Sequence, residues 1–118
     1  MLKKSQTDYD KIHQKPWDKL FDGSNEILAA FARGNKTLDI ACGDGYIEQL
    51  SPDTIGLDFS LNALIKARKN GARNLVQSTA EKLPFLDNAF DLVICNGSLE
   101  HFTDPLKSIF EMARVSRM

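Results

Sequence analysis

The chain has 118 residues, 42% of them hydrophobic, and a formal net charge of −1 from 15 basic and 16 acidic side chains. That length allows one globular core and no second. The even mixing of charges excludes the basic footprint of a nucleic-acid binder, and no apolar stretch approaches the ~20 residues that span a bilayer.

The lysine-rich start, Met1 to Lys4, runs into polar residues rather than a signal-peptide core, so a cytoplasmic chain is expected. Residues 1–22 carry Tyr9, Trp17 and Phe21 on a polar background and are expected to form a lid-like or loosely ordered segment. The domain itself is expected over 23–118. Its first helix comes after Asp22-Gly23-Ser24, with Ile27, Ala30 and Phe31 at helical spacing as the inward face and Gly34 as the cap. A strand is predicted at 37–41, then a loop at 42–45 and a short helix at 46–50 that Ser51-Pro52-Asp53 breaks. A second strand at 54–58 leads to Ser60, a good N-cap. Leu61, Leu64, Ile65 and Arg68 trace the stripe of the next helix, which Asn70-Gly71 ends. Residues 74–78 read as a third, short strand. After Pro84 and the Asp87-Asn88 turn, the unbroken apolar run at 91–95 has the composition of a parallel strand buried on both faces. Asp104-Pro105 then opens a last helix with Leu106, Ile109, Phe110 and Ala113 as its stripe.

Strands that alternate with helices imply right-handed crossovers, hence an α/β fold: a Rossmann-like parallel sheet with helices on both faces. Such a sheet opens a crevice at the carboxyl ends of its strands. The glycine loop ends the first strand, Asp58 the second, Ala80-Glu81 comes after the third and Asn96-Gly97 after the fourth. At Gly43 or Gly45 a side chain would occupy a ligand's space or oppose a positive φ. Asp39 lies inside an apolar strand, where an unpaired charge costs several kcal/mol, so it needs a partner in backbone N–H groups or a polar ligand. Asp58 comes after Asp39 at about the spacing at which an acid ending the second strand can accept from both hydroxyls of a ribose. A dinucleotide fingerprint would want a third glycine where Glu48 stands, and no Gly-Lys-Ser/Thr is present for a phosphate loop. A nucleoside without phosphates fits best. Cys42 and Cys95, with no other clustered ligands, make neither a metal site nor an expected disulfide.

These motifs resemble those of class I S-adenosylmethionine-dependent methyltransferases, of the type 11-like group that includes enzymes of ubiquinone and menaquinone biosynthesis. Leu38-Asp39-Ile40-Ala41-Cys42-Gly43-Asp44-Gly45 resembles the family's first motif, with Ala41 where glycine is more usual, and Gly56-Leu57-Asp58-Phe59-Ser60 the second. Ala80-Glu81-Lys82-Leu83-Pro84-Phe85 resembles the stretch that borders the adenine, and Phe90-Asp91-Leu92-Val93-Ile94-Cys95-Asn96 the fourth strand. Leu99-Glu100-His101-Phe102 resembles the family's segment after that strand. The resemblance implies strand order 3-2-1-4, S-adenosylmethionine as cofactor, and methyl transfer to a small-molecule acceptor. It implies that Asp58 holds the ribose and Phe59 packs by the adenine. Asp39, Ala41, Cys42, Gly43, Gly45, Ala80, Glu81 and Asn96 complete the expected cofactor site. The role at Glu81 could fall to its carboxylate or to a backbone N–H of Ala80 or Glu81. No catalytic side chain is assignable; His101 is the weak candidate and reads better as a rim or core histidine.

The family pattern continues past the point where this sequence stops, at Val115-Ser116-Arg117-Met118, so the fold is expected to be incomplete before a fifth strand. The fourth strand would then sit at an open edge, which invites a homodimer. Two alternatives stand beside an active methyltransferase. One is a non-catalytic fragment or regulatory subunit that needs a partner. The other is an NAD-type dinucleotide domain, which Glu48 disfavours.

Overall fold

The computed structural model describes residues 22–96 and 99–117. The expected lid, with Tyr9, Trp17 and Phe21, lies outside the described residues apart from Asp22. The elements, in chain order, are α1 (Asp22–Ala32), β1 (Thr37–Ile40), α2 (Tyr46–Leu50), β2 (Ile55–Asp58), α3 (Leu61–Lys69), β3 (Leu75–Gln77), β4 (Leu92–Cys95), a 3-10 turn (Leu99–His101) and α4 (Pro105–Val115).

The four strands form one parallel sheet in the order β3-β2-β1-β4, as the motifs implied. Leu38 sits opposite Ile55 and Val93, and Asp39 opposite Gly56 and Ile94, so β1 is buried between two neighbours. Strand alternation then divides the core. Leu38, Ile40 and Leu57 pack on one face with Leu83, Phe90 and Val115 from the β3–β4 connection and α4. Ile94 packs on the other with Ala29 and Ala32 of α1 and Ile47 of α2. The helix ends obey local chemistry: the Ser60 Oγ accepts from the Ala63 N–H at 3.2 Å, the Asp104 carboxylate from the Lys107 N–H at 3.1 Å, and Gly34, at φ 81°, comes just after α1.

The inward faces of three helices differ from expectation. In α1, Ala29 and Ala32 are buried while Ile27 and Phe31 are 60% and 64% exposed. In α3, Leu64 and Ala67 go inward, leaving Leu61 and Ile65 outside. In α4, Ser108 and Val115 are buried and Met112 half-buried, whereas Leu106, Ile109 and Phe110 face outward. The inward positions of α1 are both alanines, and α3 turns in one leucine and one alanine. The α4 face is set by the 3-10 turn and by the ion pairs that Arg114 makes with Asp87 and Glu111.

Candidate functional site: the glycine loop at the carboxyl ends of β1 and β2

The loop 42–45 is held by backbone and by one acid. The Cys42 N–H donates to the Leu57 carbonyl at 3.0 Å, and the Gly45 N–H to the Cys42 carbonyl at 3.1 Å. Asp58, buried at the end of β2, accepts from the Gly43 N–H through Oδ2 at 3.1 Å and from the Ser60 N–H through Oδ1 at 3.0 Å. One carboxylate therefore fixes the loop after β1 and the cap of α3 together, and lone pairs on both oxygens are left for a ligand's hydroxyls. Lys66 reaches the Asp44 carboxylate at 3.3 Å, and the Asn70 amide donates to the Asp44 carbonyl at 3.1 Å, so α3 braces the loop's outer side.

The two loop glycines have different jobs. At Gly43, φ 55°, an added Cβ would meet nothing within 4 Å, so its backbone borders open space. At Gly45, φ 80°, an added Cβ would lie 3.0 Å from the Ala67 Cβ and 3.2 Å from that of Ala72. Gly45 thus serves close packing of α3 against the loop, the task a dinucleotide fingerprint gives its third glycine. Ala41 also takes a positive φ, 58°. Its substitution for the more usual glycine bears on backbone strain rather than on room.

The remaining expected residues are spread over the same end of the sheet. Phe59 is next to Asp58 and is 69% exposed as a residue, and its carbonyl accepts from the Gln77 amide at 3.1 Å. Ala80 is buried in the core. The Glu81 carboxylate accepts from the Asp104 N–H at 3.3 Å, so here it serves the start of α4. Asn96 is exposed at the end of β4. His101 lies exposed on the 3-10 turn, its Nε2 3.5 Å from the Glu100 carboxylate. Cys42 and Cys95 are not joined by a disulfide. Burial, then the carboxyl groups of Glu48, Asp39 and Asp58, pushes the Cys42 thiol far above its ordinary range. Among the described residues no cluster of three or more His, Cys, Asp or Glu side chains could hold a metal ion.

Glu48 is the residue that sequence reasoning misses. By sequence it matters only as the place where a dinucleotide site would need glycine, yet its side chain is fully buried beneath the loop, against Asp39. The available signal is an ionisable side chain next to Ile47 in a helix of five residues, which can hide only one short face. Burial is the main reason that both carboxyls titrate above their ordinary range, Asp39 strongly so.

A parallel 3-2-1-4 sheet with an open glycine loop after β1 and a buried acid ending β2 defines a Rossmann-like ligand-binding domain. The chain belongs to the methyltransferase domain family, whose sequence profile matches residues 38–118. It is similar to the demethylmenaquinone methyltransferase of Renibacterium salmoninarum, 34% identical over 89 residues, which cover 71% of this chain and 38% of the relative. The demethylmenaquinone methyltransferase of Staphylococcus carnosus is 33% identical over 128 residues, covering 92% of this chain and 51% of the relative. Among solved structures, the YcgJ protein of Bacillus subtilis superposes with a TM-score of 0.71 at 30% identity, over 81% of this chain and 47% of that one. The chain spans about half the length, or less, of these relatives. Among the described residues no helix is long and apolar enough to cross a membrane.

Proposed function

We propose that this chain binds S-adenosylmethionine across the carboxyl ends of β1, β2 and β3 and serves methyl transfer from it to a small-molecule acceptor. The observation that carries the reading is the coupling of Asp58 to the Gly43 N–H, which joins a hydroxyl-binding acid to an open glycine backbone. The residues present fit that cofactor. Gly43 leaves its backbone accessible, Phe59 offers an exposed ring for an adenine, and the acids Asp39 and Asp58 suit an ammonium and a ribose. They fit a pyrophosphate poorly, because Lys66 beside the loop is already paired with Asp44 and α2 is too short for a strong N-terminal dipole. This weighs against an NAD-type domain.

When bound, the cofactor supplies a methyl group activated by a sulfonium. The chain's own contribution is orientation and exclusion of water, effects worth up to ~7–11 kcal/mol in well-aligned reactions. In this reading Asp58 and the Gly43 backbone set the position of the nucleoside, and Asp39 that of the amino-acid end. No side chain is given the part of a general base, since the sulfonium provides most of the reactivity and many acceptors need none.

Calorimetric titration with S-adenosylmethionine and with its demethylated product tests the reading. Saturable binding of both is expected, with Asp58→Ala weakening it at least tenfold, about the worth of a charge-assisted hydrogen bond. No saturation of a folded protein up to millimolar ligand would overturn it. The outward apolar faces of α1 and α4 favour a second reading, a cofactor-binding unit that turns over only with further protein. Binding without transfer from radiolabelled cofactor to any acceptor, restored by a second chain, would select that one.

A further inference from the structure

Glu48 lies 0% exposed in α2, and among the described residues neither its Oε1 nor its Oε2 accepts a well-aligned hydrogen bond, its own backbone N–H being the one backbone group that weakly favours the carboxylate. A lone buried carboxylate in such a place costs several kcal/mol. Its neighbour is another acid, Asp39, 3% exposed on the face of β1 that meets α2. Two carboxyls in contact in a dry site do not both ionise; they share a proton, which then is the donor the Glu48 oxygens lack. Burial first, then the bond to Glu48, holds that proton on Asp39, and the charges Asp39 feels, those of Glu48 and Asp58, are all negative.

The groups around the pair come from each element packed on it. The loop contributes the un-ionised Cys42 thiol and Asp44, the latter paired with Lys66 of α3, and β2 contributes Asp58, held by two backbone N–H groups. The inward positions of α1 are Ala29 and Ala32, while its Glu26 is exposed and Arg33 donates to the Leu50 carbonyl. From β4 the neighbour of Asp39 is Ile94. Among the described residues, then, no cation faces the two acids beneath the open loop.

We propose that Glu48 is a positioning residue of the cofactor site: it shares one proton with Asp39, and a cationic ligand at the Gly43 loop drives that proton into solvent. This rests on the proposed function, in which the ligand carries an ammonium and a sulfonium. The balance is simple. The pair goes from one proton and one negative charge to two negative charges, the ligand's positive charge takes the proton's place, and one H⁺ leaves. Affinity then falls as pH falls, by up to tenfold per unit for one linked proton.

Calorimetric titrations of S-adenosylmethionine at pH 6, 7 and 8, each in two buffers of different ionisation enthalpy, count the protons released. The wild type is expected to release a substantial fraction of one proton and to bind more tightly at higher pH. Glu48→Gln, whose amide donates to an ionised Asp39, is expected to release almost none and to flatten the profile. Equal proton counts and slopes in the two proteins overturn the proposal. A ligand-free arm separates this from the functional reading. A pair whose folded-state titration is raised contributes stability that is full at low pH and lost as pH rises through it. Glu48→Gln should therefore gain stability over the wild type at pH 8 relative to pH 5, and parallel urea midpoints across that range overturn the shared proton. If the folded wild type does not bind, the proposed function and the positioning role both fail, while the stability arm still decides the pair. Should E48Q not fold, Asp39→Asn puts an amide against Glu48 and is expected to lose the pH dependence in the same way.

Discussion

Ala41 shows how one side chain changes the meaning of a motif. Its φ of 58° places a Cβ where the backbone prefers none. A left-handed residue other than glycine costs ~1–2 kcal/mol, and a glycine there gives back ~0.5–1 kcal/mol in the unfolded chain. Ala41→Gly is expected to raise unfolding free energy by roughly 0.5–1 kcal/mol, read as a higher urea midpoint with unchanged slope. An unchanged or lower midpoint would show that the loop had already relaxed around the methyl group. At this scale the sequence is most readable. Asp39, Gly43 and Asp58 can be singled out because each is a chemically odd residue in an otherwise regular pattern, an acid in an apolar strand or a glycine beside one. Glu48 cannot, since a glutamate in a helix is ordinary until its neighbours are known to bury it.

At the scale of elements, Gly45 joins the loop to α3 through the close approach of Ala67 and Ala72. Gly45→Ala combines a strained φ with a contact of 3.0 Å to the Ala67 Cβ, so a loss of about 2–4 kcal/mol is expected by chemical denaturation. The β3–β4 connection is tied down from α4 instead. Arg114 donates to the carbonyls of Leu83 and Phe85 and pairs with Asp87 and, at 2.6 Å, with Glu111, whose own Oε1 accepts from the Leu83 N–H. The Arg114 guanidinium holds the Glu111 carboxyl below its ordinary range. A lowered acid contributes stability above its unfolded value that is lost as pH falls through the folded one, so this clamp should weaken only in acid. Arg114→Ala is expected to speed amide exchange across 83–87 while leaving β1 and β2 protected. This clamp also explains why periodicity misplaces α4. The spacing marks Leu106, Ile109 and Phe110 as inward, but Ser108, Met112 and Val115 go in from nearly the opposite side of the helix, with Glu111 and Arg114 tied to the β3–β4 connection. The strand order follows only from the family resemblance, whereas the ends of β1, β2 and β4 can be read from composition to within a residue, because a strand buried on both faces announces itself in any register. Which side of a helix goes in does not.

For the whole molecule, apolar side chains are left outside on each of the described α-helices, from Ile27 and Phe31 on α1 to Leu61 and Ile65 on α3. Leu28 and Phe31 flank a groove along the outer side of β4, and Leu106, Ile109 and Phe110 lie outward on α4. Surfaces of this kind pair or aggregate. The isolated chain is expected to self-associate with rising concentration in sedimentation velocity, and Phe31→Lys combined with Phe110→Lys to shift it toward monomer. A concentration-independent monomer would show these faces to be tolerated in water. The β4 edge is also not blank. Past α4 the backbone turns back, and Phe90 and Ser116 form a parallel bridge in which the Phe90 N–H donates to the Val115 carbonyl at 2.9 Å and the Arg117 N–H to the Phe90 carbonyl at 2.7 Å. That rung sets a polarity. A strand continuing from it runs alongside β4 in the same direction with its register already chosen, so an antiparallel newcomer would first have to break two backbone hydrogen bonds, and the sheet can grow on this side in one sense only.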